Sequence, residues 1–129
     1  MADERAILKT ASGTAYFAPP KLAEGVKLDA DKPDVSLLSS TWVFAVARVM
    51  TFGKIKYAAH NWRKGIAISR LMSASLRHIF AFIGGEDKDP ETGESHLAHA
   101  SCCLMFALET MEQRPQFDDR FKPEQKEAK

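Results

Sequence analysis

SRLMSASLRHIFAFIGGEDKDPETGESHLAHASCCLMFALETMEQ, residues 69–113, decides the fold. It reads as two amphipathic helices separated by a polar loop. Ser69 is a candidate N-cap, and Leu71, Met72, Leu76, Ile79, Phe80 and Ile83 make a broad apolar arc. Gly84-Gly85 supplies a left-handed stop. Beyond the loop, Ser95 caps a further helix running to about Gln113, where Pro115 ends it. Its apolar stripe is Leu97, Leu104, Leu108 and Met111. Beside it, His96, Ala100, Cys103 and Ala107 form a stripe of mostly small groups, along which another helix can approach closely. Helices joined by about ten residues pack antiparallel. Folding at the loop centre puts His96 and His99 level with Ile83 and Phe80, and His78 one turn deeper.

Upstream, Val35 to about Ala58 reads as another long helix capped by Asp34, with Leu38, Trp42, Val46, Val49 and Met50 at helical spacing. Gly53 interrupts it, and AAHNWRKG (58–65) is a polar loop. Met1 to Pro33, punctuated by Gly13, Pro19-Pro20 and Gly25, reads as a weakly structured arm with no convincing strand. The expected organisation is an arm (1–33), an all-α domain of antiparallel helices (34–114) and a charged tail that frays (115–129). The apolar arcs are too broad for so short a chain to bury alone, so a dimer or tetramer is expected.

Charge is segregated along the chain. Glu86, Asp87, Asp89, Glu91 and Glu94 crowd one loop, and His96 and His99 follow at once. Val35 to Gly85 holds no acid, but carries Arg48, Lys54, Lys56, Arg63, Lys64, Arg70 and Arg77. Carboxylates and imidazoles suit divalent cations, while ammonium and guanidinium groups suit phosphates. The loop lacks EF-hand spacing. No phosphate-binding glycine loop, nucleophile elbow or zinc-finger spacing is present. Eighteen basic and seventeen acidic residues give a net charge of +1, so binding to nucleic acid through bulk charge is not expected. No apolar run spans a bilayer and the N-terminus is not a signal peptide. Cys102 and Cys103, adjacent on a helix, cannot pair with each other, which fits a reducing cytoplasm.

Long ordered words carry a resemblance: TFGKIKY and NWRKG, then SR, RH, GEDKDPETG and HLAHA. Over about Lys32 to Glu109 the chain resembles the phage dATP/dGTP diphosphohydrolases, the MazZ-type, MazG-like NTP pyrophosphohydrolases. That resemblance implies a MazG-like helical bundle in the host cytoplasm. It also implies metal-dependent hydrolysis of dGTP or dATP to monophosphate and pyrophosphate. Relatives often have Lys-Pro-Arg where Lys32-Pro33-Asp34 stands, and an aromatic where Ile68 stands. The ExxE and ExxD carboxylates of the wider MazG pattern fall near Ser75, His78, His96 and His99. Either histidines and loop acids replace them, or the scaffold serves another use, as a non-catalytic nucleotide- or nucleic-acid-binding module.

On the enzymatic reading His78, Glu86, Asp87, Asp89, His96 and His99 are candidate metal ligands or their supports. Glu86 and Asp87 are candidate catalytic carboxylates. Imidazole ligation favours manganese, cobalt or zinc over magnesium. Lys32, Lys54, Lys56, Arg63, Lys64 and Arg77 are candidate phosphate binders, and Tyr57, Asn61 and Trp62 are candidates for binding base or sugar. No side chain reads as an activated nucleophile, which leaves water as the attacking group.

Overall fold

The computed structural model describes residues 7–9, 13, 15–17 and 25–124. The chain divides into two units, Met1–Leu37 and Leu38–Lys129.

In the first unit β1 (Ile7–Lys9) and β2 (Ala15–Phe17) pair antiparallel, Ile7 opposite Phe17 and Lys9 opposite Ala15. Gly13 between them sits at φ +84°. The sequence reading expected no strand here, because three residues are too few for a period-two pattern to emerge. A 3-10 turn follows at Val35–Leu37, where Asp34 Oδ1 accepts the Ser36 N–H at 3.1 Å. Asp34 therefore caps this turn, not the long helix.

The second unit is all helical. α1 (Ser40–Tyr57) starts five residues later than the sequence suggests, with Ser39 Oγ accepting the Trp42 N–H at 3.2 Å. A 3-10 turn, Asn61–Lys64, leads to α2 (Ile68–Ile83), and α3 (His96–Gln113) completes the bundle. α3 is central, with α2 and α1 both packed antiparallel to it. Small side chains make the α2–α3 contact. Ser75, only 2% exposed, donates its hydroxyl to the Ala100 carbonyl at 3.2 Å, and Ile68 and Leu71 pack on Ala107. Against α1, Ala98 and Cys102 meet Val46 and Val49, and Trp42 Nε1–H reaches Ser101 Oγ at 3.0 Å.

The small-residue stripe of α3 takes the close helix approach expected of it, and the leucine stripe is left outside that contact. Leu97, Leu104 and Leu108 are half-exposed or more, as is Phe80 on α2. Backbones can approach closely only where side chains are small, so the alanines face inward and the leucines outward.

The C-terminal segment does not fray through Asp119. Arg114 Nε donates to the Arg63 carbonyl at 2.9 Å, and Pro115–Phe117 forms a 3-10 turn. α2 begins after Ala67, which offers no capping side chain. Asp119 supplies the cap instead, accepting the Ser69 N–H at 2.8 Å and the Ser69 hydroxyl. Those two hydrogen bonds hold its carboxyl below the usual range. Among the described residues no helix is long and apolar enough to cross a membrane.

Two glycines should respond oppositely to alanine. Gly65 has φ +105°, and a Cβ there would clash with the edge of the Phe117 ring. Gly65→Ala should cost about 2 kcal/mol or more. Gly53 lies inside α1 with open space around it, so Gly53→Ala should gain about 0.5–1 kcal/mol. Urea melts of both variants check this; two shifts of the same sign would contradict the packing described.

Candidate active site

The loop between α2 and α3 folds back on itself. Gly85 and Gly93 turn the chain at φ +98° and +72°. The Glu86 N–H returns to the Ala81 carbonyl, the Asp89 N–H to Glu94, and the His96 N–H to Asp87, at 2.8–3.0 Å. Ser95 caps α3 through the Leu97 N–H. Drawing the loop back slides α3 along α2, so His78 meets His96 directly and is not one turn deeper.

The two imidazoles approach Nδ1 to Nδ1 at 2.8 Å. His96 is buried, and its Nε2 lies 2.6 Å from Glu86 Oε1. The Glu86 carboxylate only accepts, so the proton sits on His96 Nε2. His96 Nδ1 then accepts from His78 Nδ1–H, which leaves a lone pair on His78 Nε2. His99 stacks on His78, ring centroids 4.6 Å apart and 12° from parallel, and its Nε2 pairs with Thr92 Oγ1 at 2.7 Å. Asp89 Oδ1 accepts the N–H groups of Glu91 and Thr92 at 2.9 and 3.1 Å, leaving Oδ2 without a backbone donor.

Donor atoms of His78, Asp89 and His96 all lie within 4.8 Å of one another. This donor set fits a cation. With the His78–His96 hydrogen bond intact, His78 Nε2 and one Asp89 carboxylate oxygen are left free for an ion. Glu86 reaches this group only through His96. Asp87 contributes its backbone carbonyl, and its side chain is exposed.

A cavity of about 1200 Å³ opens beside the cluster. His78, Asp89 and His99 stand on its wall, whereas Glu86, Asp87 and His96 do not. Of the expected phosphate binders, Lys54, Lys56, Arg63 and Arg77 line it; Lys64 does not, and Lys32 belongs to the N-terminal unit. The acid-free segment finds its carboxylates across the fold, as Arg48–Glu94 at 3.0 Å, Lys56–Glu91 at 2.8 Å and Arg63–Glu109 at 2.5 Å. Tyr57 and Asn61 line the cavity. Trp62 does too, but it is buried: Phe106 stacks on it at 4.6 Å and the Arg63 guanidinium lies 4.4 Å from the same ring. A ring so buried and so closely partnered is not an open platform for a base.

Sequence reasoning passed over Arg70, Ser73, His60 and Thr92. Arg70, Ser73 and Arg77 share the cavity face of α2, with Arg77 donating to Ser73 Oγ at 2.9 Å. Among the described residues neither Arg70 nor Arg77 has a carboxylate partner. The signal was their spacing of three and four on the polar side of the apolar arc.

Burial lowers the His78 pKa, with His99 and His96 adding to the effect. Burial also lowers that of His99, against the pull of Asp89. Burial pushes Asp89 up, but the Thr92 and Glu91 N–H groups outweigh it and leave the carboxyl below its usual range. These shifts keep His78 and His99 neutral and Asp89 charged, the states that bind cations. In the unfolded chain His78 and His99 take up protons as pH falls through about 6.5, while in the folded chain they resist until lower pH. The unfolded state therefore binds more protons in that window, and stability should fall as pH drops from about 7 toward 5. Urea melts in EDTA at pH 7.5 and 5.5 should reveal that loss, and a His78→Asn, His99→Gln double variant should lose less. An unchanged pH slope in the double variant would contradict the assignment.

Residues 23–120 match the family model described as dATP/dGTP diphosphohydrolase, N-terminal. The chain is 41% identical over 96 residues to a dATP/dGTP diphosphohydrolase of Salmonella phage PMBT28, a match covering 74% of this chain and 33% of that protein. It therefore spans about a third of the length of the curated relative it matches. No solved structure matches it. With the family model covering the whole helical bundle and its loop, the chain belongs to the dATP/dGTP diphosphohydrolase N-terminal family.

Proposed function

We propose that this chain binds a purine deoxynucleoside triphosphate in the cavity and hydrolyses it, with a divalent cation, to monophosphate and pyrophosphate. The observation that carries the reading is one cavity lined both by His78, Asp89 and His99 and by Arg70 and Arg77. Candidate cation ligands and phosphate donors share it, and the relative's name supports the substrate class.

We assign the cation to His78 Nε2 and Asp89 Oδ2, the atoms that their hydrogen bonds leave free, manganese suiting the mixed imidazole and carboxylate set. Bound there, it would activate water and neutralise charge on the leaving pyrophosphate. His96 can join as a ligand by giving up its bond to His78; otherwise it and Glu86 fix the His78 tautomer from behind. That reassigns Glu86 from proton acceptor to support. Glu91, on the wall and held by Lys56, is the carboxylate left to take the attacking water's proton. Arg70 and Arg77 hold phosphate oxygens.

Hydrolysis of dGTP or dATP in oxygen-18 water should place the label in the monophosphate and require divalent metal. Asp89→Asn should weaken manganese binding by about ten-fold or more. Arg77→Ala should raise KM, costing about 1.5–3 kcal/mol, with stability little changed. Label in orthophosphate would reject the mechanism, and no hydrolysis of any triphosphate would favour the binding-module reading.

We further propose that the chain self-associates through the outward leucines. Leu104 at 50% and Leu108 at 67% exposure form a stripe that water disfavours. Sedimentation should give a dimer or tetramer, and Leu104→Glu with Leu108→Glu should give monomer. A wild-type monomer at high micromolar concentration would refute this.

A further inference from the structure

The segment joining α1 to the 3-10 turn holds the only two non-glycine residues with positive φ among the described residues. Ala58 lies at φ +78°, ψ 154°, a region almost confined to glycine, and His60 at φ +64°, ψ 12°. Such conformations persist only where the surroundings enforce them, and His60 is held by one side chain. Arg63 Nε donates to His60 Nδ1 at 3.0 Å. Arg63 is itself fixed on three sides. Its Nη1 pairs with Glu109 of α3, its guanidinium lies on the Trp62 ring, and its carbonyl accepts Arg114 Nε–H. Trp62 in turn is stacked on Phe106.

Arginine cannot accept a hydrogen bond, so His60 Nδ1 must present its lone pair and the proton sits on Nε2. His60 is exposed, and it lines the same cavity as the metal-ligand cluster. The outcome is an imidazole anchored to the core through Arg63, offering one hydrogen-bond donor of fixed tautomer to whatever occupies the cavity. Along α3, His99 and Phe106 are about 10 Å apart, so the cluster and the Trp62–His60 segment stand at separate stations. That separation suits phosphates at one station and a base at the other.

We propose that His60 is a specificity-determining residue whose Nε2–H donates to N7 of a purine base; the proposal rests on the nucleotide reading of the cavity. A single donor is a discriminating choice. N7 is an acceptor in both adenine and guanine, whereas position 6 is a donor in one and an acceptor in the other. A lone donor at N7 therefore admits both purines, and pyrimidines have no equivalent ring nitrogen. A donor at position 6 would separate the two purines instead. The same N–H could serve a phosphate or sugar oxygen, and the experiment distinguishes these.

The α,β-methylene analogues of dGTP and 7-deaza-dGTP, whose P–C–P link resists cleavage, are titrated by calorimetry with manganese present. The wild-type chain should bind the dGTP analogue about ten-fold more tightly than its 7-deaza counterpart, the value of one well-placed hydrogen bond. His60→Ala should lose that preference by weakening only the dGTP analogue. His60→Gly, which relieves the positive φ, should behave the same way. Equal wild-type affinity for the two analogues would overturn the proposal. So would a variant that weakens both equally, which would place His60 on phosphate or sugar, or one that keeps the 7-deaza penalty. Binding of neither analogue by the wild-type chain would remove the nucleotide reading and this inference with it.

Discussion

Ser75 and Ala100 meet across α2 and α3 through one hydroxyl–carbonyl hydrogen bond in a fully packed contact, and the site depends on how close that lets the backbones come. A larger residue at either position would separate the helices. With Ala98 and Cys102 on the α1 side, α3 is lined by small groups on both buried faces, which makes it the axis of the bundle. One turn beyond Ser75 stands His78, and one turn before Ala100 stands His96. The same approach that buries Ser75 brings those two rings into hydrogen-bond contact.

The loop exploits this contact. Its acids are not a diffuse negative patch: each has a distinct partner or position. Glu86 holds His96 from behind, Asp89 is clamped by two backbone N–H groups, and Glu91 and Glu94 tie down Lys56 and Arg48 of α1. The exposed ion pairs contribute little stability singly. Their effect is positional, since they fasten the loop to α1 while the hairpin fastens it to α2 and α3. The cavity is also lined by Trp62, which packs against Phe106 and the Arg63 guanidinium, while Arg114 from the C-terminal segment bonds the Arg63 carbonyl.

Much of this was legible in residues 69–113. The two helices, the loop, the Ser95 cap and the small-residue stripe follow from periodicity and capping chemistry, and the concentration of acid beside histidine pointed to the cluster. What was not legible depends on contacts distant in sequence. Asp119 caps α2 from fifty residues away, so Ser69 was misread as the cap. Periodicity marks two stripes on α3 but does not rank them for burial: hydrophobicity favours leucine, whereas close helix approach selects for size. Trp62 resembled a base platform in one dimension, and only the fold reveals that its ring is buried against Phe106 and Arg63. His60 carried no sequence signal at all, since its backbone strain and its bond to Arg63 exist only in three dimensions. The β1–β2 pair was missed because its strands are too short to show a period.

The central claim is that His78 and Asp89 hold a divalent cation at the cavity wall. Anomalous diffraction at the manganese edge, from crystals soaked with manganese and a non-hydrolysable purine deoxynucleotide, tests it most directly. The account requires a manganese peak within bonding distance of Asp89 Oδ2 and a His78 ring nitrogen, on the cavity side of the cluster. A peak bound only by the exposed Glu86 and Asp87 side chains, or no peak at saturating manganese, would contradict it.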